Sequence, residues 1–355
     1  MKKRLLSAFL IAALASSTLL VGGCKNSGGG ESSESLTVFN YGEYIDPDVL
    51  DQFTEETGIE IKYEEALTPE ELYTKYSSGA IEYDLVCTSD YMLQKLIAEG
   101  ELQEIDINAL ENKDNIGEKY WEFSQAFDPE NKYTVPHFWG TLGILYDTSK
   151  VSEPVESWDV LFNGKYAGDI IMQNSMRDSF MVALKYLGYS LNSDKEAEIQ
   201  EAYDLLLAQK PDVGAYLVDE ARDEVVAGNA AMAVVYSGEA YLGHEYNENL
   251  AYVVPKEGSN VWLDSWGVTK YCDNMDAAMK YLDFLCREDI ARKNFEYIYY
   301  STPNEAVINS MPEEERANET LVPPDSATEN CEVCTQSSPE INEIMNNLWK
   351  ELKAD

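Results

Sequence analysis

Five short segments of the chain carry carboxylates, four of them beside aromatic rings. They are Tyr41-Gly42-Glu43-Tyr44, Thr88-Ser89-Asp90-Tyr91, Gln173-Asn174-Ser175-Met176-Arg177-Asp178, Tyr236-Ser237-Gly238-Glu239 and Trp262-Leu263-Asp264. Carboxylates can replace the water around a protonated amine, whose unpaired burial is costly. Aromatic faces attract the same cation by roughly 0.5–2 kcal/mol per desolvated contact. Tyr and Trp also cover methylenes while keeping a polar tip in water. Acids alternating with rings therefore suit a chain of methylenes that carries amines at intervals. Plainer uses exist for the same residues. Ser89 and Ser237 read as helix N-caps, with Asp90 and Glu239 in first turns where the helix dipole favours an acid.

The position of these segments is what raises the binding reading above the plain one. Short apolar runs alternate with helical patterns along the chain, which predicts an α/β architecture. Strands are expected over 36–40, 84–87, 168–172 and 231–235, and the first four segments follow them directly. The fifth sits just before a strand expected over 265–269. In open α/β sheets ligands bind outside the carboxyl ends of the strands. Helix signals fill the intervals. Asp46-Pro47 opens a helix that Gly58 ends, Thr68-Pro-Glu-Glu71 is a capping box, and 339–353 places Ile341, Ile344, Met345 and Leu348 at helical spacing. No internal repeat is present.

The start of the chain predicts its compartment. A basic Lys2-Lys3-Arg4 precedes an apolar run over 5–20 and then Val21-Gly22-Gly23-Cys24. That order reads as an export signal over 1–23. Residues 24–35 are rich in Gly and Ser and read as a flexible tether. The formal charge is −39, with 65 acids against 26 bases. Such a chain repels nucleic-acid phosphates and attracts cations. After Cys24 remain Cys87, Cys272, Cys286, Cys331 and Cys334. The single Cys331-Glu-Val-Cys334 has no partner pair for a zinc site, so free thiols or a local disulfide are expected.

Several runs, in order, resemble the spermidine/putrescine-binding family of ABC importers. They are Val38-Phe-Asn-Tyr-Gly-Glu-Tyr-Ile45, Gln52-Phe-Thr-Glu-Glu-Thr-Gly58, Tyr83-Asp-Leu-Val86 and Tyr133-Thr-Val-Pro-His-Phe-Trp-Gly140. Ala183-Leu-Lys-Tyr-Leu-Gly-Tyr189, Val254-Pro-Lys-Glu-Gly258, Trp262-Leu-Asp-Ser265 and Thr302-Pro-Asn304 continue the match. Val21-Gly22-Gly23-Cys24 is similar to a bacterial lipobox, which implies lipid on Cys24.

The resemblance implies a two-lobed, type II periplasmic-binding-protein-like fold with mixed sheets, flanking helices and a hinge of crossing strands near 138–141 and 265–268. It places one lobe at 36–138 plus 266–302 and the other at 139–265 plus 303–355. It implies a monomeric, lipid-anchored extracytoplasmic binding protein, not an enzyme, that needs no cofactor or metal and passes a polyamine to a permease. Ligand contacts are expected from Tyr41, Glu43, Tyr44, Ser89, Asp90, Asp178, Tyr236, Glu239, Trp262, Asp264 and Tyr300. Tyr41 and Tyr236 stand where the family often has Trp. Asp90 stands where spermidine-binding relatives can have Tyr, and Ser175 replaces one acid. Glu239 stands where putrescine-binding relatives carry Asp. The mosaic leaves putrescine and spermidine both open.

Two other chemistries fit parts of the pattern. Tyr299-Tyr300 with nearby acids suits ferric ion. Asp178 with Asp264 suits acid/base hydrolysis of a glycan. No nucleophile–base pair or glycine-rich phosphate loop accompanies the latter.

Overall fold

The structure, a computed structural model, describes residues 34–354 except 43 and 219. The expected leader, Cys24 and nearly all of the expected tether lie outside the described residues, as does Glu43. In chain order the first elements are β1 (Ser35–Tyr41), α1 (Pro47–Thr57), β2 (Glu60–Ala66), α2 (Pro69–Ser77), β3 (Leu85–Thr88), α3 (Asp90–Ala98) and α4 (Glu118–Ser124). Then come β4 (Thr134–Asp147), β5 (Ile170–Gln173), α5 (Met176–Tyr186), α6 (Glu196–Gln209), β6 (Val213–Leu217), α7 (Glu220–Val226), β7 (Met232–Tyr236) and α8 (Ser237–Tyr246). The chain ends with β8 (Leu250–Val253), β9 (Val261–Val268), α9 (Met275–Leu285), α10 (Glu288–Ile298), α11 (Glu305–Ser310), α12 (Glu313–Arg316), α13 (Asp325–Thr328) and α14 (Pro339–Lys353).

The caps read at Asp46, Gly58 and Thr68 are formed. Asp46 accepts from the Asp48 N–H, and Gly58 takes φ 76° at the end of α1, a left-handed cap that glycine adopts without a Cβ clash. Thr68 accepts from the Glu71 N–H, while the Glu71 carboxylate reaches back to the Leu67 N–H. Ser89 occupies the N-cap of α3 but makes no side-chain cap bond. Ser237 is not a cap; its hydroxyl lies in the interior and accepts from the Thr141 N–H.

The described strands form one nine-stranded mixed sheet in the order β2-β1-β3-β9-β4-β7-β5-β6, with β8 also on β4. β4 joins its two halves. Residues 134–141 pair antiparallel with β9, and residues 142–147 pair with β7 and β8. Sequence reading gives this strand only as two pieces, 133–135 and 141–146, and glycines stand within it at 140 and 143. The fold needs glycine at both. A Cβ on Gly140 would lie 2.5 Å from the Trp262 ring, and one on Gly143 would lie 2.4 Å from the Val253 carbonyl oxygen.

Each half of the sheet has its own core. The first gathers Phe39, Phe53, Trp139, Trp266 and Tyr281. The second gathers Trp158, Phe180, Leu206, Ile341, Met345 and Leu352. Side chains from α10, α11 and Leu321 make a small satellite core, with Phe295 against Val307 and Met311. Among the described residues no helix is long and apolar enough to cross a membrane.

Candidate functional site

The carboxyl ends of β1 and β3 lie side by side, because Phe39 pairs in parallel with Val86. Tyr41 at the end of β1 therefore meets Thr88, their hydroxyls 2.8 Å apart. Tyr44 turns inward beyond it, edge-on to Tyr41, Phe138 and Tyr300 at 5.5, 5.5 and 6.1 Å. Its hydroxyl donates to Asp264 Oδ2 at 2.7 Å.

Asp264 reaches this point from β9, opposite Phe138 of β4. Trp262 and Asp264 lie inside β9 rather than before it, since the strand begins at Val261. Two residues apart on one strand, they project to the same face. Trp262 meets Tyr300 edge-on at 5.1 Å and Tyr236 at 6.2 Å. Its indole N–H is buried without a hydrogen-bond partner.

Asp90, only 1 % exposed, opens α3. One oxygen accepts from the Tyr91 N–H at 2.7 Å, and the other is buried without a partner. Burial, reinforced by the negative charge of Asp264, pushes its carboxyl up to about 8, against the opposing pull of the Tyr91 N–H and, less strongly, of Arg177. Burial likewise raises Asp264 to about 6, while the Tyr44 hydroxyl pulls it down.

The second half of the sheet supplies Asp178 and Tyr236, and Tyr300 comes from the end of α10. Asp178 sits in the first turn of α5, capped by Ser175, and its Oδ2 accepts from the Tyr236 hydroxyl at 2.9 Å. Burial raises its carboxyl, opposed by Ser175, Tyr236 and Arg177. Tyr300 follows Tyr299, which takes a left-handed φ of 63° at the end of α10. That turn sends the two rings apart. Tyr299 stacks on Tyr241 at 5.4 Å, while Tyr300 turns to Trp262. Their divergence removes the tyrosine pair on which the ferric reading rested. Among the described residues no group of three or more His, Cys, Asp or Glu is placed to hold a metal ion.

The fold thus brings together Tyr41, Tyr44, Ser89, Asp90, Asp178, Tyr236, Trp262, Asp264 and Tyr300 from both halves of the sheet. Glu239 has one oxygen 2.7 Å from Arg222 Nη1 of α7. Sequence reading missed Arg177 and Cys334. Arg177 lies against the ring of Tyr91 and donates to the Cys334 sulfur at 2.9 Å. A basic residue in an otherwise acidic strand exit was the available signal. A cavity of about 20 Å³, room for about one water, adjoins Arg177, Asp178, Asn260 and Cys334. A roomier surface cleft of about 500 Å³ lies near Glu56, Asp276 and Arg287, where none of the expected residues fall. The five described cysteines after Cys24 are free thiols.

A two-lobed fold with rings and acids converging at strand ends from both lobes defines a solute-binding protein. The comparisons agree. Residues 48–321 match the bacterial extracellular solute-binding protein family, and the chain belongs to it. The family binds solutes for transport and is not one of enzymes. The chain is 32 % identical over 326 residues to the spermidine/putrescine-binding periplasmic protein of Salmonella typhimurium, covering 91 % of this chain and 92 % of that one. It is 26 % identical to the putrescine-binding periplasmic protein PotF of Escherichia coli, covering 90 % and 92 %. Among solved structures, the spermidine/putrescine ABC transporter substrate-binding protein PotD from Streptococcus pneumoniae superposes with a TM-score of 0.83 at 37 % identity. That match covers 90 % of this chain and 99 % of that one.

Proposed function

We propose that this protein binds a short polyamine, putrescine or spermidine, between its lobes and delivers it to an ABC importer. The observation that carries the reading is the convergence of three buried carboxyls, Asp90, Asp178 and Asp264, among the rings of Tyr41, Tyr44, Tyr236, Trp262 and Tyr300. Its spermidine/putrescine-binding and putrescine-binding relatives support the same ligand class. Neutral sugars do not need three buried acids, and a hard metal does not need Trp262.

In this reading Asp264 and Asp178 grip ammonium groups, and Glu43 and Asp90 supply further acid from the first lobe. Tyr41, Tyr44, Tyr236, Trp262 and Tyr300 cover the methylenes, with Ser89 at the rim. Glu239, beside Arg222, adds a further acid to the ligand contacts. The lobes comprise 36–138 plus 266–302, and 139–265 plus 303–355, with 303–321 leaning on α10 of the first. They pivot about β4 and β9, and ligand favours closure by touching both. The protein is a monomer, held at the extracytoplasmic face of the cell membrane by lipid on Cys24. Micromolar affinity requires only about −8 kcal/mol.

Calorimetric titration with putrescine, cadaverine, spermidine, spermine, ferric citrate and glucose tests this. Saturable binding of amines alone is expected. A flat response to every amine, with binding of ferric citrate or glucose, would overturn it.

A further inference from the structure

Arg177 belongs to the second lobe by its helix and reaches the first through Tyr91. It extends from the first turn of α5 across the site, with its guanidinium 4.2 Å from the centre of the Tyr91 ring on α3. Its Nη1 donates to Cys334 Sγ at 2.9 Å and to the Thr335 carbonyl at 3.2 Å. The chain around Cys334 is itself tied to both lobes. Glu332 pairs with Lys185 of α5 at 2.8 Å, and Asn192 holds the Val333 carbonyl and the Thr335 N–H. Gln336 donates its N–H to Gln94 of α3 at 2.6 Å. Arg177 therefore stands where α3, α5 and residues 332–336 meet.

The charges around it matter as much as the contacts. Arg177 faces Asp90 and Tyr91 from α3, Asp178 on its own helix, and Cys334 from the segment beyond. Tyr91 in turn donates to Glu70 of α2, and Asp264 of β9 lies close enough to act on Asp90. Burial keeps the Cys334 thiol protonated, pushed up to about 12, so it accepts as a neutral group. A guanidinium stays charged in protein surroundings, and a buried charge without compensation is costly. Asp178 on the same helix faces that charge, and Asp90 does so once it ionises. In return, carboxyls that would otherwise repel one another can share the site.

We infer that Arg177 is a positioning residue for ligand capture, which joins the two lobes across the site and balances the acids that face the ligand. It touches Tyr91 and Cys334 by a planar fork and a flat face, which a lysine cannot reproduce together. Its charge sits beside the acids that an incoming ammonium must find ionised. The inference rests on the amine reading of the site.

Two variants separate the parts of this role. Putrescine and spermidine are titrated at pH 6.5 and pH 9.0 into the parent, Arg177→Gln and Arg177→Lys, each compared with the parent at the same pH. Arg177→Gln is expected to weaken binding at least tenfold at pH 6.5, with the deficit narrowing several-fold at pH 9.0, where the acids ionise unaided. Arg177→Lys keeps the charge, so it should follow the parent's pH profile while binding more weakly at both values. A Gln variant with the parent's dissociation constants, or one with the same deficit at both pH values, overturns the inference. So does a Lys variant whose pH profile departs from the parent's, and this arm holds even if the Gln variant melts early. A parent that binds no amine overturns the amine reading instead, and is recognised before any variant is made.

Discussion

Asp264 sits where both halves of the sheet can act on one ligand, with Tyr44 holding its Oδ2 and Trp262 two residues away on the same face. Asp264→Asn keeps the shape and removes the charge. We expect putrescine affinity to fall at least tenfold, or about 1.4 kcal/mol, with an unchanged dissociation constant by calorimetry the contrary result. Asp90 adds a pH signature. Its carboxyl is raised to about 8 by burial, so the folded protein holds a proton that the unfolded chain has lost. The stability tied to that proton is complete below the ordinary Asp range and is lost as pH rises through about 8. Asp90→Asn removes the charged form. The ligand-free variant should therefore match the parent near pH 4 and melt higher than the parent at pH 8.5. Equal melting temperatures at pH 8.5 would contradict the assignment. The sequence exposed Asp90 and Asp264 as acids at strand ends. It did not expose Glu239 as the partner of Arg222, because that pairing depends on how α7 packs on α8.

At the level of elements, β4 and β9 do most to place the site. Gly140 lies opposite Trp262 in the ladder, and the indole rests directly over it. Gly140→Val would force a side chain into space the ring occupies. Overpacking of this kind costs about 1–3 kcal/mol, and here it also displaces a ring of the site. We expect a lower melting temperature together with loss of amine-induced stabilisation. A variant that is destabilised but still responds fully to putrescine would show that Trp262 does not contact the ligand. Helix ends were legible from the chain because caps are local. Asp46, Thr68 and Ser338 each use a side chain within three residues of the N–H they satisfy. The length of β4 was not legible, since a glycine in a strand reads as a break until the neighbour that requires it is known. Six shorter elements, α4, β6, α7, α11, α12 and α13, were also passed over, for their runs are too short to show a period.

The whole molecule couples binding to stability. A ligand that binds only the folded, closed form adds about 2.7 kcal/mol at one hundred times its dissociation constant. Putrescine should therefore raise the melting temperature steeply with concentration, and a ligand-free radius of gyration larger than the bound one should accompany it in solution scattering. Identical radii with and without putrescine would argue against closure about β4 and β9. The charge of −39 acts at longer range. At physiological salt, charges separated by more than about 8 Å are largely screened. Added salt should slow association of the diamine more than it speeds dissociation, because the pairs in the closed site are enclosed.

The sequence by itself determined the class of the protein. Alternating strand and helix patterns, local caps and acid-bearing strand ends are all properties of short windows, and their order along the chain carried the family resemblance. Only the tertiary structure decided which acids act together. Asp90, Asp178 and Asp264 come from three elements separated by scores of residues, and their burial, which sets their charge, depends on every neighbour at once. The same holds for Arg177, whose meaning lies in Tyr91 and Cys334, residues that no spacing in the chain connects to it.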